Sequence, residues 1–285
     1  MKNLQNRNVI LLFLGALLYL NSISGAMAQA PADLITARDH YLRAKQKLDE
    51  ANELIFDIEK WHAKRKESLP HLDKAVELDP DNRAYLLARA GVLDSEGETA
   101  RALKDFEKIV ELSPDDPEVY SLRAEALSKA GLLDEALADL TRAITLEPNN
   151  PKWYVGRASF YTDREKYAEA LLDYDRALKI EPSSTEVLSG RAVLFYRKKD
   201  YVKAIADYTT LIKIDDKPSL WYLSRADSYE MMGQYARAIA DVTTVIRLSP
   251  DMSGPLIRRA EIYREVGKIA LARRDEAAAK KLSGR

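Results

Sequence analysis

Residues 117–150 read PEVYSLRAEALSKAGLLDEALADLTRAITLEPNN, and the next 34 residues, 151–184, read PKWYVGRASFYTDREKYAEALLDYDRALKIEPSS. Both segments have arginine at their seventh residue, alanine at the eighth and twentieth, and aspartate at the twenty-third. Both also end in Glu-Pro followed by two small polar residues. A spacing of 34 residues relates the segments and predicts an internal structural repeat.

The same period extends along the chain in both directions. Prolines stand at 80, 114, 148, 182 and 250, and the one missing place holds Asp216, with Pro218 two residues later. Six segments follow, and repeat positions are counted below from 1 to 34 within them: 83–116, 117–150, 151–184, 185–218, 219–252 and 253–285. Position 8 is Ala90, Ala124, Ala158, Ala192, Ala226 and Ala260. Position 20 is Ala102, Ala136, Ala170, Ala204, Ala238 and Ala272.

These residues at this spacing resemble the tetratricopeptide repeat family. The resemblance covers residues 83–285, with a degenerate half-repeat before them. It implies an all-α fold, a right-handed superhelical solenoid in which each repeat is a pair of antiparallel helices, A and B. Independently of the resemblance, small alanines allow two helices to approach closely, and the residue before proline is pushed out of helical geometry, which ends helix B.

The segment 29–82 carries less of this pattern. Apolar residues recur at intervals of three and four, and they predict one long helix over about 33–64: Leu34, Ala37, Tyr41, Ala44, Leu48, Ala51, Ile55 and Ile58. Leu72, Ala75 and Val76 match the second half of a repeat, so 65–82 is predicted to be a lone helix B packed on that helix. An alternative is that the apolar stripe dimerises as a coiled coil.

The first 28 residues are predicted to be a secretory signal peptide. Lys2 and Arg7 precede an apolar stretch at 9–20, and Ala26-Met27-Ala28 fits a cleavage site after Ala28. The alternative is an uncleaved anchor, although twelve apolar residues are short for a membrane span. A cysteine-free exported chain suits a bacterial periplasm or envelope.

Catalysis, cofactors and metals are not expected. The chain has no cysteine and three histidines, all before residue 72, and it contains no phosphate-binding, nucleophile-elbow or zinc-protease motif. Nucleic acid is not an expected partner either, because the mature chain would be exported with a net charge of −3. The predicted function is therefore a non-enzymatic scaffold or adaptor that binds a protein or peptide.

Positions 7 and 23 combine opposite charges in every repeat. Position 7 is Arg89, Arg123, Arg157, Arg191, Arg225 and Arg259, and position 23 is Asp105, Asp139, Asp173, Asp207, Asp241 and Asp275. Because these residues do not vary between repeats, we predict salt bridges between the two helices of one repeat. A phosphate-binding or catalytic role for the arginines is the alternative.

In the family, ligands lie in a concave groove lined by helix A positions 2, 5, 9, 12 and 13. The resemblance places these residues there: Lys152, Val155, Ser159, Asp163, Glu186, Ser189, Val193, Tyr196, Arg197, Leu220, Leu223, Asp227, Glu230 and Met231. Apolar and aromatic side chains beside Arg197 have the composition of an interface hot spot. Family members that clamp chaperone tails have asparagine at position 6, which here is Ala88, Leu122, Gly156, Gly190, Ser224 and Arg258, so that function is not expected.

Charge is distributed unevenly along the chain. The net charge is −3 in each of the segments 31–82, 83–116 and 117–150, and +5 in 253–285. This polarity suits contact of the basic end with anionic membrane, or head-to-tail self-association. The alternative function is accordingly a structural subunit that self-assembles through its capped ends or its N-terminal helix.

Overall fold

The computed structural model describes residues 32–54, 57–215 and 218–283, and side chains from residue 36 onward. The described part of the chain contains fourteen α-helices and no strand: α1 (Ala32–Asn52), α2 (Ile58–Leu78), α3 (Arg83–Ser95), α4 (Thr99–Leu112), α5 (Pro117–Lys129), α6 (Leu133–Leu146), α7 (Pro151–Asp163), α8 (Tyr167–Ile180), α9 (Thr185–Arg197), α10 (Tyr201–Ile214), α11 (Ser219–Met231), α12 (Tyr235–Leu248), α13 (Ser253–Glu265) and α14 (Ile269–Ser283). The predicted signal peptide and its cleavage site lie outside the described residues. None of the fourteen helices has the length and apolarity needed to cross a membrane.

The described residues divide into two compact units, one that ends at Asp139 and one that begins at Leu140. Within each unit, helices that follow one another in sequence pack against one another. From α3 onward, odd-numbered helices are the A helices of the predicted repeats, and even-numbered helices are the B helices. The predicted class, an all-α helical-repeat solenoid, is confirmed.

The alanines at positions 8 and 20 lie where helices A and B meet. All twelve are at most 2% exposed, and those at position 20 are fully buried. A methyl group at each contact lets the two backbones approach closely, so that the larger side chain at position 24 fills the space beside them. The alanine period therefore predicted the packing contact correctly.

The turn between helices A and B has the same geometry in all six pairs. Position 15 has a positive φ in each, at Gly97, Gly131, Glu165, Lys199, Gly233 and Gly267. The next residue donates its N–H to the carbonyl of position 11, as from Asp200 to Phe195 at 2.8 Å. This is the Schellman closure of a helix C-terminus, for which glycine is favoured because it lacks a Cβ.

The N-terminal segment differs from its prediction. In place of one helix over 33–64, α1 ends at Asn52 and α2 begins at Ile58. The Asp57 carboxylate accepts a hydrogen bond from the Lys60 N–H at 3.2 Å, and this N-cap starts a new helix where the apolar period alone predicted continuation. Ile55 lies outside the described residues.

The helices α1 and α2 form a hairpin of their own. Ala37, Ala44 and Ala51 are fully buried at seven-residue intervals on α1, which packs on α2. If the 34-residue period is extended back to residues 49–82, the buried residues Ser68, Leu72 and Ala75 of α2 occupy positions 20, 24 and 27. The stripe predicted for a coiled coil is therefore covered within the chain along these three alanines.

Candidate functional site

The six predicted arginine–aspartate pairs are confirmed. In every repeat, the position 7 guanidinium donates from Nε and Nη2 to the two carboxylate oxygens at position 23, at 2.7–2.9 Å. The aspartates are only 4–6% exposed. The hydrogen bond to aspartate raises the pKa of each arginine above its usual value. A planar, two-point contact of this kind fixes the rotation of helix A against helix B.

Each arginine also meets the preceding B helix. Its Nη1 donates to an oxygen at position 25 of that helix at 2.9–3.2 Å in five cases: Asp73, Thr141, Asp175, Thr209 and Thr243. The remaining arginine, Arg123, interacts electrostatically with Glu107 at the same position. The guanidinium groups therefore hold three helices together, and this geometry supports the structural interpretation of the pattern over a phosphate-binding one.

The predicted groove residues lie on α7, α9 and α11, all within the unit 140–285. Seven of them are exposed: Ser159, Asp163, Glu186, Val193, Arg197, Leu220 and Met231. Six are partly exposed: Lys152, Ser189, Tyr196, Leu223, Asp227 and Glu230. Val155 is the exception, because it is 8% exposed and packs in the core with Tyr154 and Ala158. Val155 is therefore a packing residue and not part of an accessible surface.

Ion pairs join neighbouring A helices across this surface. Arg197 on α9 donates to Asp163 on α7 at 2.6 Å, and both side chains remain about half exposed. Tyr196, next to Arg197, packs edge-to-face on Tyr201 with ring centroids 5.4 Å apart. Burial of the hydroxyl raises the pKa of Tyr196, and the negative charge of the nearby Asp227 carboxylate raises it further. An ion pair thus links α7 to α9 at their exposed surfaces, and Tyr196 on α9 lies near Asp227 on α11.

Arg258 completes this surface and was not among the predicted site residues. From α13 it donates to Asp227 at 2.9 Å and to Glu230 at 2.8 Å on α11, and to Glu261 on its own helix at 3.1 Å. Burial disfavours the charged guanidinium, but these carboxylates outweigh burial and raise its pKa. The sequence could have indicated this residue, because Arg258 is the one charged residue at position 6, where the other five repeats have a small or apolar residue.

Beneath the exposed groove residues, the side chain at position 24 of one repeat packs against position 6 of the next repeat. Tyr174 is 1% exposed, and a Cβ built on Gly190 would lie 2.8 Å from its Cε1 and Oη atoms. The Tyr174 hydroxyl lies 3.4 Å from the Ser159 Oγ, so the buried ring reaches a groove residue. In the next repeat Ser224 stands at position 6 and hydrogen-bonds to Tyr208. The two tyrosines at position 24, Tyr174 and Tyr208, are therefore each accommodated by a small residue at position 6 of the next repeat.

Within residues 36–54, 57–215 and 218–283, no cluster of three or more histidine, aspartate or glutamate side chains is arranged to hold a metal ion.

Two family models with the description "Tetratricopeptide repeat" match the chain. One matches residues 93–160, and the other matches 62–117 and 161–217. Together they span 62–217, which is more than half of the chain. A search of curated proteins found no match.

Solved structures of repeat proteins share the fold. A tetratricopeptide repeat protein from Parabacteroides merdae is 21% identical with a TM-score of 0.57, over 84% of this chain and 93% of that one. The C-terminal part of a repeat-containing protein from Cytophaga hutchinsonii is 16% identical with a TM-score of 0.59, over 82% and 93% of the two chains. The APC/C hetero-tetramer Cut9–Hcn1 has a chain that is 18% identical with a TM-score of 0.54, and the match covers 94% of this chain and 56% of that one.

Proteins built from these repeats generally mediate protein–protein interaction by binding protein or peptide partners, and the fold is typically a non-catalytic scaffold. The repeat models, the helix pairs and the solved structures agree on the architecture. The chain therefore belongs to the tetratricopeptide repeat family.

Proposed function

We propose that this chain is an exported, non-enzymatic scaffold of the cell envelope, which holds a protein or extended peptide on the helix A surface of α7, α9 and α11. The observation that carries the proposal is a set of large apolar side chains left exposed at the family's ligand positions. Val193 is 42% exposed, Leu220 39% and Met231 54%. A cluster of exposed apolar residues with a polar rim is typical of a protein interaction site.

Tyr196 is the proposed anchor for the partner. Its ring is already held by Tyr201, so binding would immobilise little additional side-chain freedom. The ion pairs of Arg197 with Asp163, and of Arg258 with Asp227, place charges of both signs around it. An aromatic anchor inside a charged rim gives affinity at the centre and selectivity at the edge.

The finer features of the proposal rest on sequence. Six full repeats are supported by six helix pairs, α3 to α14, that repeat the arginine–aspartate contact. The envelope location rests on the predicted signal peptide at 1–28. We propose no cofactor and no nucleic-acid partner. Self-assembly as a structural subunit is the competing function, and a concentration-dependent mass of the purified protein would favour it.

Tyr196→Ala is expected to weaken binding of the groove partner by about 2 kcal/mol, or roughly 30-fold, because the variant loses the central aromatic anchor. The partner is first identified by placing a photo-crosslinking residue at Leu220 in cells, with the same residue at Leu172 as the control. Leu172 is 71% exposed on the B helix α8, which carries none of the proposed groove residues. The affinity of the purified partner is then measured by calorimetry.

Two further variants separate anchoring from general damage. Tyr196→Phe keeps the ring and should retain most of the affinity, and Leu172→Ala should bind like the parent protein. All variants should have the same helix content by circular dichroism. Equal affinity of Tyr196→Ala and the parent, or adducts formed at Leu172 and not at Leu220, would refute the proposed surface.

Export is tested at the N-terminus of the protein. We expect the mature chain to begin at Gln29, because Ala26 and Ala28 occupy the small-residue positions of a signal-peptidase site. N-terminal sequencing of protein from the soluble envelope fraction measures this directly. Recovery of chains that still carry Met1 in the membrane pellet would contradict cleavage and favour the anchor.

A further inference from the structure

The last helix, α14, presents a basic face to solvent. Arg273, Arg274, Lys280 and Lys281 are all exposed. At about 100° per residue, these four side chains fall on one side of the helix, with the exposed Ala270 and Ala277 between them. The opposite side carries Ala272, Asp275 and Ala279, which are buried at 5% exposure or less. The basic face is thus set by the same periodicity that packs α14 on α13.

The acidic residues of α14 do not neutralise this face. Asp275 is buried and accepts both hydrogen bonds from Arg259, and Glu276 pairs with Arg264 at 2.5 Å. Among the described residues, none of the four cations on the face lies in an ion pair. Their charges are therefore available to an external anion.

We propose that the outer face of α14 binds the anionic headgroup layer of a lipid bilayer. The face is charged but has no aromatic or large apolar side chain at its centre, which is alanine. Two of its four cations are lysine, a residue type depleted from the cores of protein interfaces, so the composition does not favour a protein partner. A headgroup layer requires only cations within reach of its phosphates. Ile269 and Leu271 flank the face and are 46% and 40% exposed, so they can contact the acyl boundary.

Local charge, and not the charge of the whole molecule, must drive this contact. The mature chain has a net charge of −3, whereas the segment 253–285 carries +5. Each cation near an anionic surface strengthens binding by roughly five-fold. Neutralising Arg273 and Arg274 together should therefore weaken binding by about 25-fold.

The experiment is sedimentation of the purified mature protein, residues 29–285, with vesicles of phosphatidylglycerol and phosphatidylcholine, in about 0.1 M salt. The test variant is Arg273→Gln with Arg274→Gln. The matched control is Lys179→Gln with Arg247→Gln, which removes the same charge from exposed positions on α8 and α12. We expect the parent and the control to sediment with anionic vesicles, the test variant to lose about 25-fold in affinity, and none to bind pure phosphatidylcholine.

Three outcomes would overturn the proposal. They are failure of the parent to bind anionic vesicles, an equal loss in the control variant, and sedimentation without vesicles that the test variant abolishes. The last would assign the basic face to a second copy of the chain. The assay contains no groove partner, so failure here leaves the proposed scaffold function untouched, and Tyr196→Ala should bind vesicles like the parent.

Discussion

Asp173→Ala is expected to lower the free energy of unfolding by about 3 kcal/mol, because it leaves a largely buried guanidinium without its carboxylate. The Asp173 side chain is 8% exposed and that of Arg157 is 20% exposed. After the substitution, the Thr141 Oγ at 3.1 Å would be the remaining side-chain acceptor for Arg157. Denaturant unfolding followed by circular dichroism measures the loss.

Asp163→Ala is the matched control for this change. It also removes an aspartate from an arginine pair, but the Asp163 and Arg197 side chains are 58% and 41% exposed. Solvent screens such a pair, so its removal should lower the free energy of unfolding by less than about 1 kcal/mol. Equal losses for the two variants would mean that the six internal pairs contribute no more than surface ion pairs.

Gly190→Ala is expected to destabilise the protein by about 1–3 kcal/mol, although alanine is the better helix former. The new methyl group would lie 2.8 Å from the Tyr174 ring, which is buried on all sides and cannot easily move. At the equivalent position, the Cβ of Gly156→Ala would lie 3.6 Å from Leu140, an ordinary contact. That variant should be neutral or gain up to about 1 kcal/mol.

A double variant tests the cause of the Gly190 effect. Tyr174→Leu combined with Gly190→Ala recreates the pairing of Leu72 with Ala88 found earlier in the chain. If overpacking is the cause, Gly190→Ala should be much less harmful in the Tyr174→Leu background than in the parent. The same loss in both backgrounds would attribute the effect to something other than the aromatic ring.

The fold was predictable because its determinants recur at one period. Alanines and charged pairs that appear six times at fixed offsets report contacts made in every repeat, and the structure contains them all. Four of the six repeats have glycine at position 15, and this could also have predicted the left-handed backbone of the turn. Glu165 and Lys199 adopt the same positive φ at that position. The break between α1 and α2 was missed because Asp57 caps a helix inside an apolar period that continues past it.

The candidate site was less predictable, since it depends on what differs between repeats. Val155 occupies a family ligand position but is buried by its neighbours. Arg258 lies outside those positions and yet reaches Asp227 and Glu230 on the preceding A helix. Both outcomes depend on which side chains lie next to each position in the folded chain, and a positional pattern does not encode this.

The placement of each buried arginine–aspartate pair within one helix pair bears on how the array opens. When the helix pair α13–α14 detaches as a whole, Arg259 and Asp275 leave together and their two-point contact stays intact. The bonds that break are those to preceding helices, from Arg259 to Thr243 and from Arg258 to Asp227 and Glu230. Separating helix A from helix B within a repeat would instead leave the arginine and the aspartate each without its charged partner. Native-state hydrogen exchange should therefore show opening in steps of whole repeats, with the amides of one A–B pair losing protection at a common free energy.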